Sequence, residues 1–576
     1  MNLTKENGIL YIDSIKKRRK TMKKILVLML IAAMLIGVLA GCAATEEPVQ
    51  PVEPAPPVEN PVEEPAEVEE KTLVIGLSTD VTTWNPYARN QITANAVQKH
   101  VFEALILVGD DMSHVPGLAV SWEANEDSTV WTIKLREGVT FHNGAKFVAD
   151  DVVFSFDRVL ETAIGWVDSM ATIGSYRAID DTTVEITCST PDALLPATLR
   201  NLVIISKETH EGKGLENLEV EVVGTGKYEL VEYLRDDKVV LKRNENYWGD
   251  KPEIQNVVFR TIPNEGTRTA SLISEEIDFS EIINVRDAQM MENLKNIKVV
   301  SAPSISANMF VMVQVDGDPS PNSDYPLLSP DGSNPLNNRD VREAIVRAID
   351  VNELIEVVMS GYATPTNSVV PEGFNGYNPN LTKYDFNPEK AMELLDNAGY
   401  PMQTSGELEG YRFAITLDHQ ERNATMSTAI AGYLGRVGIK CYPNTLANAI
   451  VWDHVRMYDS YKCHFLVTSW SNPAGESAMI AKDTVYSAPF DKAKKDGFGG
   501  VNRGYYVNEE VDVLIEQALA TADYDARDEI MQQVWKIVNE DVAHFSLFRN
   551  DNIYGVGNDF EYTPRTDGYI YAWDFN

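Results

Sequence analysis

Eight histidines are the first candidates for chemistry, since an imidazole can relay protons or bind metal near neutral pH. They stand at His100, His114, His142, His210, His419, His454, His464 and His544. None has a partner three or four residues away, the spacing that puts two rings on one helix face for a metal. The zinc-protease pattern fails after His210-Glu211, and no Gly-x-Ser-x-Gly elbow occurs. Gly224-Thr225-Gly226-Lys227 is followed by Tyr228, where a phosphate loop needs Ser or Thr, and it lacks a glycine five positions before Gly226. It reads as a turn. Cys188, Cys441 and Cys463 lie in apolar strand-like surroundings and read as small core residues. These absences lead to an expectation of no catalytic residue, no metal and no cofactor: a protein that is not an enzyme.

The charge balance narrows the partners. Lys plus Arg number 50 against 86 Asp plus Glu, a formal net charge of −36, which repels phosphate backbones and argues against nucleic acid. With 576 residues, 44% of them apolar, the chain can bury a large core. It exceeds what one core supports and calls for at least two lobes.

Met22 to Cys42 reads MKKILVLMLIAAMLIGVLAGC. Two lysines, an apolar run from Ile25 to Ala40 and small residues before a cysteine form a secretory signal peptide. Leu39-Ala40-Gly41-Cys42 resembles a bacterial lipobox, which implies a mature N-terminus at Cys42 bearing a diacylglycerol anchor. The true start is Met1 or Met22. Loss of residues 1–41 leaves 42 basic against 84 acidic residues, so the mature chain is more acidic. Ala43 to Glu70 carries seven prolines and nine glutamates. Such a stretch cannot form a core, and at about 3.1 Å per residue it makes an extended tether of roughly 85 Å.

Beyond Glu70 the pattern changes to short apolar strands, Leu73–Leu77, Val130–Leu135, Val239–Arg243 and Val257–Ile262, interspersed with amphipathic helices. Val152, Val153, Phe156, Val159 and Leu160 form one stripe at 3.6 residues per turn, and Val341–Ile349 and Val511–Leu519 repeat it. Asn387-Pro388 opens a further helix that Gly399 closes. The fold class is α/β. A Pro/Gly/Asn/Ser-rich stretch from Asp316 to Asn338 is expected to be a surface insertion between lobes.

The segment Leu135 to Leu160, LREGVTFHNGAKFVADDVVFSFDRVL, resembles the signature of the family 5 extracellular solute-binding proteins, the dipeptide, oligopeptide and nickel receptors of ABC importers. Six further blocks follow in family order: Gly224 to Tyr228, Arg243 to Trp248, Glu276 to Asp278, Asp340 to Ile345, Val437 to Ile439 and Tyr506 to Asp512. The resemblance implies a two-lobed periplasmic-binding-protein type II fold with an extra domain inserted in the first lobe. The implied organisation is signal peptide 1–41, anchored linker 42–70, first lobe 71–113, inserted domain 114–223, first lobe again 224–305, second lobe 306–544, and a first-lobe C-terminal part 545–576.

In open α/β lobes ligands sit beyond the carboxyl ends of strands. Phe413–Leu417 and His464–Thr468 read as second-lobe strands, which places His419 and Ser469 at such ends. The first-lobe loop Ser78 to Asn95, which contains Trp84, precedes a helix containing Val101 and Phe102 and is expected to face the cleft. Trp470 matches a tryptophan of the peptide-binding members, where an aromatic wall supplies area with little directional demand. The family's ammonium-binding aspartate is replaced here by Asn472-Pro473, with Glu476 the nearest acid, and Val467 stands where some oligopeptide receptors carry an arginine. The expected ligand-binding residues are Trp470, Asn472, His419, Ser469, Asn95, Trp84 and Trp452, with Cys42 as the lipidation site.

The resulting expectation is an extracytoplasmic, membrane-anchored lipoprotein, on the outer face of the plasma membrane or in the periplasm. It is a monomer that captures a peptide or peptide-like solute and delivers it to an ABC permease and ATPase. A nickel-chelate, haem or oligosaccharide receptor of the same fold stays open, as does a surface hydrolase or adhesion lipoprotein.

Overall fold

The computed structural model describes residues 70–88, 92–162, 170–280, 284–319, 327–447, 463–470, 475–487 and 498–576. Cys42, and with it the signal and linker segments up to residue 69, lies outside the described residues.

Strands are numbered along the chain: β1 (Thr72–Leu77), β2 (Ile106–Val108), β3 (His114–Pro116), β4 (Ala119–Ala124), β5 (Val130–Leu135), β6 (Ile173–Asp180), β7 (Thr183–Cys188), β8 (Tyr228–Leu234), β9 (Lys238–Arg243), β10 (Asn256–Thr261), β11 (Phe279–Ser280), β12 (Ile297–Met312), β13 (Ala363–Pro365), β14 (Phe413–Gln420), β15 (Ile439–Leu446), β16 (Phe465–Trp470) and β17 (His544–Gly557). One mixed sheet runs in the order β15-β14-β16-β12-β17-β11-β1-β10-β9-β8, with β13 added on β17. β4-β5-β7-β6 form a separate four-stranded sheet. In β5 Trp131, Ile133 and Leu135 are buried while Lys134 is exposed, the alternation of a half-buried strand. The helix Ala149–Leu160 packs Val152, Phe156 and Val159 against this layer. The Asn387 side chain accepts the Lys390 N–H and caps the helix Pro388–Asn397, and Gly399 leaves it at φ 90°, a left-handed conformation that glycine adopts without strain.

Two long strands connect the halves of the large sheet. β12 and β17 pair antiparallel, Ile297 opposite Gly557 through Pro303 opposite Asp551, and again from Met309 opposite Ser546 to Val311 opposite His544. Between these stretches the register shifts twice, at Pro303/Ala307 and Ala307/Met309. Pro303 has no N–H to give to the ladder, the Ile305 N–H turns aside to Thr566 O at 3.1 Å, and the Ser306 N–H goes to the Ser304 hydroxyl at 3.2 Å. The first half of the pair continues into β11 and β1, and the second half into β16 and β14. One sheet therefore serves two lobes, with its ladder loosened where they meet.

Each lobe has its own core. Leu73, Ile75, Phe259 and Phe279 anchor the first. Phe310, Ile345, Phe413 and Val467 fill one face of the second-lobe sheet, and Met309, Leu466, Val511 and Trp535 fill the other. The expected insertion at 316–338 is described only in part. Its residue Asn334 is buried and donates to Val313 O at 2.8 Å and Val315 O at 3.0 Å, and Leu336 is fully buried. This end of the segment is thus packed against the lobe; low-complexity composition concealed a buried anchor.

The sequence blocks explain themselves in the first lobe. A Cβ on Gly224 would lie 1.9 Å from Val101 O, and one on Gly226 2.4 Å from His100 O, so only glycine permits this close approach of two backbones. His142 Nε2–H donates to Gly226 O at 3.0 Å, tying the first block to the second. Glu103 accepts from Thr225 Oγ1 at 2.9 Å, Tyr247 OH at 2.7 Å and Trp248 Nε1 at 2.9 Å, tying in the third. Val101 and Phe102 are buried just after the helix Ile92–Gln98 rather than within it, because the backbone bends there to meet this turn.

Candidate functional site

β14 pairs parallel with both β15 and β16, so Gln420 and Leu446 end side by side, and β16 runs on from Val467, opposite His419, to Trp470. β14 extends three residues past its expected end, through Asp418, His419 and Gln420. Its ladder with β15 stays in register to Gln420 opposite Leu446 and holds these polar residues extended.

Just beyond these ends lies a cavity of about 440 Å³. Ser306 and Asn308 enter it from the loosened part of β12, Asn550 from β17, Ser469 from β16, and Arg422 and Asn423 from the turn after β14. Met359 and Met426 add apolar surface. Asn308 stands opposite Ser469 in the ladder, and its Nδ2 donates to Asn550 Oδ1 at 2.7 Å. A neighbouring cavity of about 690 Å³ shares Arg422 and adds Glu421, Thr445 and Leu446. Arg422 is exposed. The combined surface offers amide and hydroxyl groups that both donate and accept, one guanidinium for an anionic group, and thioethers that tolerate varied side chains.

Of the residues nominated from sequence, Ser469 lines the first of these cavities. His419 is buried, with Nδ1 2.9 Å from Gln420 O and Nε2 3.3 Å from Thr445 Oγ1. Trp470 ends β16 opposite Ala307. Trp84 is buried in the first lobe, edge-on to Tyr233 at 6.0 Å, with its backbone N–H on Glu219 at 2.8 Å. Asn95 is half-buried and lines a small first-lobe hollow with Pro86, Lys99 and Tyr569. Asn472 and Trp452 lie outside the described residues. Ser306, Asn308, Asn550 and Arg422 were not nominated. The available signal was a polar residue interrupting an apolar strand, as in Asn308-Met309-Phe310-Val311.

Two acids near the strand ends have different fates. Glu476 is fully buried and engaged by Arg527 through both oxygens, at 2.7 Å and 3.1 Å. It is structurally committed and does not stand in for a ligand-binding aspartate. Asp418 accepts from Asn444 Nδ2 at 2.8 Å through one oxygen, while the other has no hydrogen-bond partner among the described residues. Burial pushes its carboxyl up to about 7.

A second line of contact joins the lobes. A Cβ on Gly373 would meet Asp111 O at 2.5 Å, and one on Gly475 would meet Met112 O at 2.7 Å and Arg200 Nη1 at 2.8 Å. Both glycines have positive φ.

A sheet shared by two lobes, with a polar crevice outside the parallel strand ends, defines the class of hinged solute receptors. The pattern of the bacterial extracellular solute-binding proteins, family 5 (middle part), matches residues 113–487. The chain belongs to this family and is an extracytoplasmic solute-binding receptor of an ABC importer. It is 28% identical over 465 residues to the glutathione-binding protein GsiB of Escherichia coli, covering 79% of this chain and 84% of that protein. Its fold is similar to HbpA2 from Haemophilus parasuis, with TM-score 0.73 and 24% identity over 88% of this chain and 99% of that one. It is also similar to the binding protein DppA from Helicobacter pylori in complex with peptide STSA, with TM-score 0.62 and 24% identity over 88% and 98%.

Proposed function

We propose that this receptor captures a short peptide or peptide-like solute at the second-lobe strand ends and hands it to its permease while tethered to the membrane through Cys42. The observation that carries the reading is the wall of Ser306, Asn308, Ser469 and Asn550 at the loosened ladder, with Arg422 beside it. Peptide groups present alternating donors and acceptors, which amide and hydroxyl side chains match without fixing the side chains of the solute. The ligands for which two of these relatives are named, glutathione and a peptide, are of this chemistry. Trp470, Asn472, His419, Asn95, Trp84 and Trp452 are proposed as further contributors around the crevice. The separate four-stranded sheet is proposed as the inserted domain, the register break as the hinge, and the working unit as a monomer. The protein makes or breaks no bond in its solute. Closure follows from contacts available only when the lobes meet.

The test is mass spectrometry of what co-purifies with the full-length protein, followed by titration of the released species. Peptides that compact the protein in solution scattering and raise its Tm support the reading. A peptide screen in which nothing binds, or a co-purifying sugar or metal chelate, overturns it.

A further inference from the structure

The first lobe encloses a second cavity, of about 130 Å³. In a chain of net charge −36, it is lined by Lys99, Arg200, Lys227 and Arg565 against a single acid, Glu103. A volume near 10–15 Å³ suffices for one water, so this space holds a carboxylate with solvent to spare. Tyr571 and Trp573 line it, as part of an aromatic ladder that starts at Tyr569 and ends in the 3-10 turn Ala572–Asp574. Tyr569, Tyr571 and Trp573 recur at every second residue, with ring centroids 5.8 Å and 4.3 Å apart and planes within 9° and 14° of parallel. Each ring carries a cation: Lys99 lies 4.6 Å from the centroid of Tyr569, Arg565 5.2 Å from Tyr571, and Lys227 5.4 Å from Trp573.

Of the acids around the cavity, Glu103, Asp567 and Asp110 are engaged, while Asp574 Oδ2 has no hydrogen-bond partner among the described residues. Glu103 takes three neutral donors. Asp567 binds Arg565 at 2.9 Å, and Asp110 binds it at 2.6 Å. Asp574 is pushed up to about 7, chiefly by burial, with Arg565 opposing the shift. Lys99 and Lys227 make no ion pair among the described residues; they are held by ring faces, and Lys227 also donates to Asp250 O at 3.2 Å. Burial first, with Arg200 and Arg565 adding repulsion against the pull of Asp567, lowers the Lys99 ammonium to about 8. An incoming anion relieves that situation. The cavity wall at Arg200 reaches Gly475, a residue beyond the end of β16 in the second lobe, so the space borders the region where the lobes meet.

We propose that this cavity is a subsite for a carboxylate of the captured solute, taken by the ammonium groups of Lys99 and Lys227 above the stacked rings. The inference rests on the peptide-capture reading. It adds that the solute is anchored on the first lobe through a negative group, which rewards closure because the strand-end wall lies on the second lobe.

The experiment uses full-length protein carrying ¹³Cε-labelled lysine, titrated with trialanine, trialanine amide and succinate. Trialanine and succinate are expected to move the Lys99 and Lys227 resonances, and trialanine is expected to bind at least tenfold more tightly than its amide. Lys99→Met should erase that tenfold preference, and Lys99→Arg should restore it. Equal affinity for acid and amide, with both lysine resonances unmoved, overturns the subsite while leaving peptide capture standing. Should neither trialanine species bind, the succinate arm decides: shifted lysine resonances that vanish in Lys99→Met and Lys227→Met sustain the anion site, and unmoved ones overturn it.

Discussion

The two cavities are built from opposite chemistries. The strand-end crevice is neutral amide and hydroxyl surface set on a backbone whose ladder is interrupted, with one exposed arginine at its edge. The first-lobe cavity is cationic, more enclosed, and built on rings and a saturated glutamate. The residues of the first come from a place where backbone pairing is already incomplete. The second is built on packed rings, with walls from the first lobe and from the 114–223 segment.

The largest expected effect breaks the first-lobe side. Glu103→Ala leaves Tyr247 OH, Trp248 Nε1 and Thr225 Oγ1 without their shared acceptor, and a loss of about 3 kcal/mol or more is expected in urea denaturation. Next is His100, whose Nδ1–H donates to Ala96 O at 2.8 Å and whose Nε2 accepts the Ala572 N–H at 2.9 Å, pinning the aromatic segment. Burial depresses its folded pKa to about 4. The stability it confers is complete above about 6.5 and is lost as pH falls from there toward 4. His100→Leu should cost about 2 kcal/mol at pH 7 and flatten that part of the pH–stability curve.

At the strand ends the sign reverses. Asp418 holds its proton to about 7 in the folded state. Its penalty therefore grows as pH rises from the unfolded carboxyl range to 7 and is complete above that. Asp418→Asn should raise stability by about 1–2 kcal/mol at pH 8 and by almost nothing near pH 4, measured by thermal melts across pH. Asn308→Ala should cost stability less, and its main effect is expected in calorimetry as an affinity loss of about fivefold, roughly 1 kcal/mol. As a reference outside both cavities, Arg177→Ala removes an exposed pair with Glu185 on the four-stranded sheet and should change stability by less than about 0.5 kcal/mol.

Much of the scaffold was legible because local rules and tertiary packing agree there. The stripe Val152, Phe156 and Val159 and the Asn387 cap with its Gly399 exit are local signals that the fold preserves. The site was less so. His419 was expected just past a strand and instead lies inside it, because the end of β14 is set by pairing to β15, a partner about 26 residues away in sequence. Asn308 and Asn550 are 242 positions apart, and only the antiparallel crossing brings them together. The aromatic ladder had a local signature in its period of two, yet the lysines that ride on it come from residues 99 and 227. Spacing along one segment cannot report that convergence.

The crossing pair β12 and β17 also dictates an order of assembly. The first lobe begins at Thr72, but it draws β17 and the buried Phe560, Tyr562 and Phe575 from the far end of the chain. A polypeptide threaded outward from its amino end can gather most of the second lobe's elements first, whereas the lobe that emerges earliest stays open until the final residues clear the exit pore. Premature termination near residue 540 would thus take β17 from both lobes and leave the half made first without its closing strand and aromatic residues as well.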